Sequence, residues 1–159
     1  MEPSRTHPRA DIRAGLRHDG PMDLDSALEW ASHRRNGTLI TLRRDGRAQS
    51  SDISYALVDG APTISVTTDR AKTANMRRDP RVVLHVSDPG NWSYVSIDAT
   101  AELSAVASEP GDETCDRLVT YFEAVTGEPH PDWDEYRRAM VDDGRLVVTL
   151  HPHSAVGQV

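Results

Sequence analysis

The segment Thr38-Leu39-Ile40-Thr41-Leu42-Arg43-Arg44-Asp45-Gly46-Arg47 contains the clearest fold signal in the chain. Residues 38–44 alternate in side-chain character and run into Asp45-Gly46, a dipeptide that favours a two-residue turn between antiparallel strands. Residues 47–58 then form a return strand, long enough to bend or to carry a bulge. This segment therefore predicts a β-hairpin at the start of a strand-rich region.

More strands follow the hairpin. Residues 63–68 predict a strand after the turn at 59–62, and residues 69–78 predict a short helix that ends at Asp79-Pro80, because proline disfavours helical continuation. Residues 81–87, 92–103 and 144–150 predict three further strands. Hairpins outnumber β-α-β crossovers in this order, which favours an antiparallel sheet. We therefore expect a mainly β protein, a six-stranded antiparallel barrel with flanking helices.

Three longer helices complete the predicted domain. The first begins at Asp23 or Asp25 and ends at Asn36-Gly37, and the others cover residues 109–125 and 131–141. Residues 1–21 have no apolar periodicity and predict a flexible N-terminal extension. Residues 22–159 are then the single folded domain, which suits a chain of 159 residues.

Composition limits the partners and the location of the protein. The formal net charge of −7 disfavours a broad nucleic-acid surface, so no nucleic-acid partner is expected. No apolar run approaches the ~20 residues that span a membrane, and the polar N-terminus does not resemble a signal peptide. The single cysteine, Cys115, excludes an internal disulfide and suits a reducing compartment. We therefore expect a soluble, cytoplasmic protein.

Lys72 is the only lysine among the 18 basic residues, and its position suits an anion site. Residues 67–75 follow a predicted strand and open the short predicted helix. The first turn of a helix presents free N–H groups and the positive end of the helix dipole, both of which attract phosphate. Thr67, Thr68 and Arg70 add hydroxyl donors and charge to the same position. The alternative is that Lys72 is one solvated surface cation.

Two other groups of residues suit a flat heterocycle. A polar strand could hydrogen-bond its edge, and two aromatic side chains could cover its face. The first group is Gln49, Ser50, Ser51 and Asp52, and the second is Trp92 and Tyr94. With the anion segment they favour a flavin-like nucleotide. The alternative is that the strand faces solvent and that Trp92 fills the core.

The chain contains none of the common nucleophile, metal or dinucleotide motifs. Cys115 lies beside acidic residues, which disfavour a thiolate. We therefore predict no catalytic side chain and no metal ligand.

Six short blocks, in this order along the chain, carry a resemblance to a known family: Asp45-Gly46-Arg47-Ala48-Gln49, Arg70-Ala71-Lys72-Thr73 with Asn75, Arg77-Arg78-Asp79-Pro80-Arg81, Trp92-Ser93-Tyr94, Pro131-Asp132-Trp133-Asp134 with Tyr136-Arg137, and Ala139-Met140-Val141. These blocks resemble the flavin and deazaflavin oxidoreductases of the split β-barrel, pyridoxamine 5'-phosphate oxidase-like, FMN-binding fold. Within that group the chain is most similar to the actinobacterial branch that uses coenzyme F420, a deazaflavin. The similarity extends from about Thr38 to Leu150.

The resemblance implies a homodimer with two cofactor sites at the subunit interface and a small-molecule substrate. It implies that a phosphate and the neighbouring ribityl oxygens are held by Thr67, Arg70, Lys72 and Asn75. It also implies that the ring is lined by Gln49, Ser50, Ser51, Asp52 and Ile53, and that Trp92 contacts the cofactor from the same or the other chain. The cofactor would transfer a hydride to an unsaturated acceptor, while the protein binds and orients.

Two departures from the family pattern and two alternatives accompany this expectation. Ala48 replaces a frequent proline, and Asp52 replaces a neutral residue, so an ionised Asp52 would repel an anionic deazaflavin unless burial neutralised it. One alternative is FMN as the cofactor. The two cofactors differ in that only F420 has an acidic tail, and Arg77, Arg78 and Arg81 are the candidate residues to bind that tail. The other is a non-catalytic F420 carrier.

Overall fold

The computed structural model describes residues 20–159, so residues 1–19 of the predicted extension lie outside the described residues. Gly20 and Pro21, the last two residues of the predicted extension, begin a strand. The described residues form strands β1 (Gly20–Met22), β2 (Asn36–Leu42), β3 (Ala48–Ser54), β4 (Ala56–Val58), β5 (Ala61–Thr67), β6 (Arg81–Asp88), β7 (Ser93–Leu103) and β8 (Arg145–Gln158), and helices α1 (Leu24–Ser32), α2 (Ala71–Arg78), α3 (Glu113–Thr126) and α4 (Trp133–Asp142).

All the strands belong to one antiparallel sheet, in the order β3-β2-β6-β7-β8-β5-β4, with β1 paired to β8. The edge strands β3 and β4 are separated in the chain by Tyr55 alone. The sheet must therefore curl until its two edges approach each other at this residue. Tyr55 is fully buried there, and its hydroxyl donates to Ala31 O at 2.7 Å. The predicted mainly β split barrel is confirmed, with six strands of seven or more residues and two of three.

The β2–β3 hairpin is present, but its loop has three residues instead of the predicted two. The Arg43 N–H donates to Arg47 O at 2.8 Å, and the Gly46 N–H donates to Arg43 O at 3.0 Å. Gly46 has φ of 84°, a left-handed conformation that glycine adopts without steric cost. The loop is therefore a turn followed by a glycine in the left-handed conformation, which is the usual arrangement of three-residue hairpin loops.

The first helix ends earlier than the sequence indicates. Asp23 caps it as expected by accepting from the Ser26 N–H, but the helix stops at Ser32. The prediction that Asn36-Gly37 ends this helix is wrong, because both residues begin β2. A Cβ at Gly37 would lie 3.0 Å from His85 O on β6. Glycine is therefore favoured here by the close approach of two strands.

The long strands β7 and β8 form the largest pairing in the sheet. Every second residue of β7 from Val95 to Ala101 is buried, which confirms the predicted alternation. β8 continues to Gln158, well beyond the predicted end at Leu150. The register shifts between Asp98, which pairs with Ser154, and Ala99, which pairs with Pro152, so His153 forms a bulge next to a residue without an N–H.

Helices α3 and α4 form a second, smaller core against β8. Each begins at an aspartate cap, since Asp112 accepts from the Cys115 N–H at 2.8 Å and Asp132 accepts from the Glu135 N–H at 3.0 Å. Both helices therefore start slightly later than predicted. Phe122 and Tyr136 meet between them with ring centroids 5.1 Å apart. Among residues 20–159, no helix has the length and apolar character needed to span a membrane.

Candidate functional site

A cavity of about 440 Å³ lies between β3, β5, β8 and the start of α2. These four elements meet because the sheet curls until β3 approaches β5, and because the chain leaves β5 directly into α2. The lining residues are Gln49, Ser51, Ser65, Val66, Thr67, Arg70, Ala71, Lys72 and Arg145. Five of the residues predicted for the cofactor therefore border one space.

The cavity is strongly basic. Three of its nine lining residues are cationic and none is acidic, all within the described part of the chain. Burial lowers the pKa of the Lys72 ammonium below its usual 10.5, and the nearby Arg70 and Arg145 lower it further. Three cations that repel one another are stabilised by a bound anion.

The first turn of α2 points at the same place. Arg70 occupies the N-cap with an extended backbone, and no side chain caps the helix. The Thr73 hydroxyl donates backward to Thr67 O at 2.7 Å, which holds the strand-to-helix connection. The Thr73 N–H donates to Arg70 O at 3.0 Å, so the N–H groups of Ala71 and Lys72 are those that remain available for an anion.

Thr67 lines the cavity, but its hydroxyl already has a partner. It donates to Asp69 Oδ1 at 2.6 Å, and this bond lowers the pKa of the Asp69 carboxyl. Thr67 would have to release Asp69 before it donated to a phosphate. Thr68 is exposed, and its hydroxyl accepts from Arg77.

Asn75 lies behind the cavity and positions Gln49. Asn75 is buried, and its Nδ2 donates to Thr41 Oγ1 at 3.0 Å and to Gln49 Oε1 at 3.2 Å. Arg78 Nη2 donates to Asn75 Oδ1 at 3.0 Å. With its oxygen engaged, Gln49 presents its NH₂ group, which has two donors, to the cavity.

Three of the predicted ring-lining residues do not border this cavity. Successive side chains of a strand point to opposite faces, so Ser50 and Asp52 are exposed on the other side of β3 from Gln49 and Ser51. Asp52 and Ile53 border a second cavity, of about 510 Å³, which also includes His85. Asp52 is exposed, and its Oδ1 lies 3.5 Å from Thr38 Oγ1.

Trp92 lies apart from the cavity within one protomer. It has φ of 53°, in the left-handed region that disfavours a bulky side chain, and is 85% exposed. Gln158 Nε2 donates to its carbonyl at 2.6 Å. The alternative that Trp92 fills the core is therefore wrong.

The three arginines considered for an acidic tail have partners inside the chain. Arg77 donates to Thr68, and Arg78 donates to Leu42 O and Asn75. Arg81 donates to both carboxylate oxygens of Asp79, and these bonds lower the pKa of Asp79 to about 2. Each arginine therefore has a hydrogen-bond partner within the chain.

Arg145 is the main lining residue that sequence reasoning missed. It begins β8 and pairs directly with Thr67 of β5. Its Nε is buried without a hydrogen-bond partner among the described residues. A strand at 144–150 was predicted, but the register that places Arg145 opposite Thr67 cannot be read from a single sequence. Such an unpaired donor, beside Lys72 and an uncapped helix, fits an anionic, acceptor-rich ligand.

The only cysteine within residues 20–159 is unsuited to nucleophilic chemistry. Cys115 is a buried free thiol, and burial raises its pKa to about 11. A thiol with this pKa is almost entirely protonated near neutral pH.

Comparison with known proteins identifies both the family and the fold. The pyridoxamine 5'-phosphate oxidase family profile matches residues 25–155. A conserved hypothetical protein from Mycobacterium tuberculosis superposes with a TM-score of 0.66 and 26% identity, over 89% of this chain and 88% of that one. A structure named F420 reductase superposes with a TM-score of 0.56 and 22% identity, over 86% of this chain and 98% of that one. A heme binding protein from Mycobacterium smegmatis superposes with a TM-score of 0.58 and 25% identity, over 82% of this chain and 51% of that one.

Proposed function

Because this chain belongs to the pyridoxamine 5'-phosphate oxidase family, we propose that its basic cavity binds coenzyme F420 and that the protein is an F420-dependent oxidoreductase. The observation that carries the proposal is the position of Lys72. It lies half-buried between two arginines, at the uncapped start of α2. This arrangement favours a phosphate group, which F420 and FMN share.

The chain's own residues would bind and orient the cofactor. Lys72, Arg70 and the first-turn N–H groups of α2 would hold the phosphate. Gln49 and Ser51, at the β3 side of the cavity, would hydrogen-bond the polar edge of the ring. When bound, the reduced deazaflavin supplies the hydride for an unsaturated small-molecule acceptor. This division fits a cavity whose lining includes no acid–base pair.

A homodimer is part of the proposal. Trp92 cannot line the cavity of its own protomer, so we assign it to the cavity of the partner subunit. Val156 and Val159 are also exposed, at 45% and 46%. An exposed tryptophan near such residues is typical of an interface anchor. The free Cys115 thiol is consistent with the cytoplasmic location that belongs to the same proposal.

FMN is the second candidate cofactor, and one observation favours it. Arg77, Arg78 and Arg81 all have partners within the chain, so no free arginine of this group is ready for the acidic tail of F420. FMN has no such tail and needs only the phosphate site and the ring site. A carrier that binds F420 without turnover would use the same cavity.

Haem is disfavoured as a ligand of this cavity, although one structural neighbour is named a heme binding protein and another a heme storage protein. Haem iron takes a histidine, cysteine, methionine or tyrosine ligand from the protein. None of these residue types is among the nine that line the cavity in the described part of the chain.

The proposal is tested by calorimetric titration of the purified protein with F420, FMN and haem. We expect micromolar or tighter binding of F420 and weaker binding of FMN. Tight FMN binding without a response to F420 would support the alternative cofactor. Binding of haem alone would exclude both. A carrier is distinguished by tight F420 binding with no acceptor-dependent oxidation of reduced F420 in a screen of unsaturated compounds.

A further inference from the structure

We propose that Arg145 is a ligand-binding residue of the cavity, binding the acceptor-rich edge of the cofactor ring while Lys72 and Arg70 bind the phosphate. The proposal rests on the proposed function and gives a distinct role to a residue that no motif in the sequence indicated. It divides the three cations into a phosphate pair and a ring-binding arginine.

The position of the Arg145 side chain supports this division. Arg145 pairs with Thr67, but its Nη1 reaches back along β5 to Ser65 Oγ, at 3.4 Å. Two residues of a strand span about 6–7 Å. Arg70 and Lys72 follow Thr67 in the other direction along the chain. The Nη1 end of the guanidinium therefore lies at Ser65, two residues before Thr67 in β5, while the Arg145 charge still lowers the pKa of Lys72.

The unpaired edge of the guanidinium supports a ligand contact. Nη1 is used by Ser65, whereas Nε is buried and has no hydrogen-bond partner within residues 20–159. The nearest carboxylate oxygen, Asp143 Oδ2, is 3.8 Å from Nε, which is an ion-pair distance but too long for a hydrogen bond. Because Nε is buried, the Nη2 group on the same edge is the donor that an acceptor atom in the cavity can reach, and Nη2 makes no hydrogen bond within residues 20–159.

The neighbours of Arg145 favour a ring over a second phosphate. Gln49, Ser51 and Ser65 are neutral, and they line the cavity with Arg145. One cation with an amide and two hydroxyls matches a heterocycle edge that carries carbonyl oxygens and ring nitrogens. Flavins and deazaflavins share such an edge, whereas a phosphate would favour the more cationic end beside Lys72.

The test compares ligands that differ only in the phosphate end. FMN is paired with riboflavin, and F420 is paired with the phosphate-free deazaflavin that keeps the ribityl chain. Lys72→Ala should weaken the phosphate-bearing member of each pair and leave the other unchanged. Arg145→Gln should weaken the phosphate-free member of each pair as well, about tenfold for a lost charge-assisted hydrogen bond. The dissociation constants are measured by ligand fluorescence.

Controls separate a ring contact from general damage to the cavity. Arg145→Lys keeps the positive charge but lacks the planar guanidinium, so its affinity for the phosphate-free ligands should be as low as that of Arg145→Gln. Inorganic phosphate should displace FMN with an unchanged inhibition constant in Arg145→Lys, because this variant keeps the charge that acts on Lys72 and leaves the phosphate end intact. The proposal is overturned if Arg145→Gln loses affinity only for the phosphate-bearing ligands, or if its affinity for all four ligands is unchanged. If the unaltered protein binds none of the four ligands, the proposed function fails first and this inference fails with it.

Discussion

Replacing Lys72 with alanine perturbs the site at the residue that supports the proposed function most directly. Lys72 is half-buried among cations, so its ammonium has little competition from acidic side chains for a bound phosphate. Loss of one charge-assisted hydrogen bond costs about 1.5–3 kcal/mol, which is roughly a 10- to 150-fold increase in Kd. We expect this loss for F420 and, in parallel, for FMN.

The stability of the ligand-free protein should respond in the opposite direction. Burial and two arginines oppose the charge on Lys72, so its removal relieves an unfavourable interaction. The thermal midpoint of the ligand-free variant should therefore equal or exceed that of the unaltered protein. Arg138→Ala is the matched control, because it removes an exposed cation from α4.

Isothermal titration and thermal unfolding measure both effects. Arg138→Ala should leave Kd and the thermal midpoint nearly unchanged. The reasoning is refuted if Lys72→Ala binds the cofactor as tightly as the unaltered protein. It is also refuted if Arg138→Ala weakens binding as much, since net charge alone would then explain the result.

Three further predictions concern pH, the support behind the cavity, and strand packing. The pKa of Lys72 is lowered, and the ammonium must be charged to bind phosphate, so the affinity for the cofactor should fall as pH rises through this pKa. Lys72→Arg should bind the cofactor with little change in affinity up to pH 10.5. A parallel decline of affinity in both proteins contradicts the assignment. Asn75→Ala removes three hydrogen bonds from a buried position and should lower the free energy of unfolding, measured by urea denaturation, by about 2–4 kcal/mol. It should also weaken cofactor binding, because Asn75 positions Gln49. An unchanged free energy of unfolding together with an unchanged Kd would show that this network supports neither the fold nor the site. Gly157→Ala places a Cβ 2.3 Å from Tyr94 O and should destabilise by about 1–3 kcal/mol in the same assay, whereas Gly111→Ala, with open space around its Cβ, should not; equal effects would contradict the close packing of β7 and β8.

The fold was largely accessible from sequence because its signals are local. Asp45-Gly46 marked the first hairpin, and alternation from Val95 to Ala101 marked the inner face of β7. Turn length and strand length were less accessible. The extension of β8 to Gln158 depends on pairing with β7 and β1, which no local pattern encodes.

The candidate site was accessible only where its residues are close in sequence. Thr67, Arg70 and Lys72 lie in one strand-to-helix connection, so a single motif indicated all three. Treating residues 49–53 as one lining segment ignored the alternation of a strand, which sends Ser50 and Asp52 to the other face. Arg145 required the β5–β8 register.

The central claim is that the cavity beside Lys72 holds the cofactor phosphate, and a crystal structure of the protein with F420 or FMN tests it most directly. We predict the phosphate within about 2.7–2.9 Å of Lys72 Nζ, in contact with the first-turn N–H groups of α2. Arg145 should lie at the ring, and Trp92 should enter from the partner subunit. A cofactor bound in the cavity beside His85, with Lys72 left in solvent, would contradict the account.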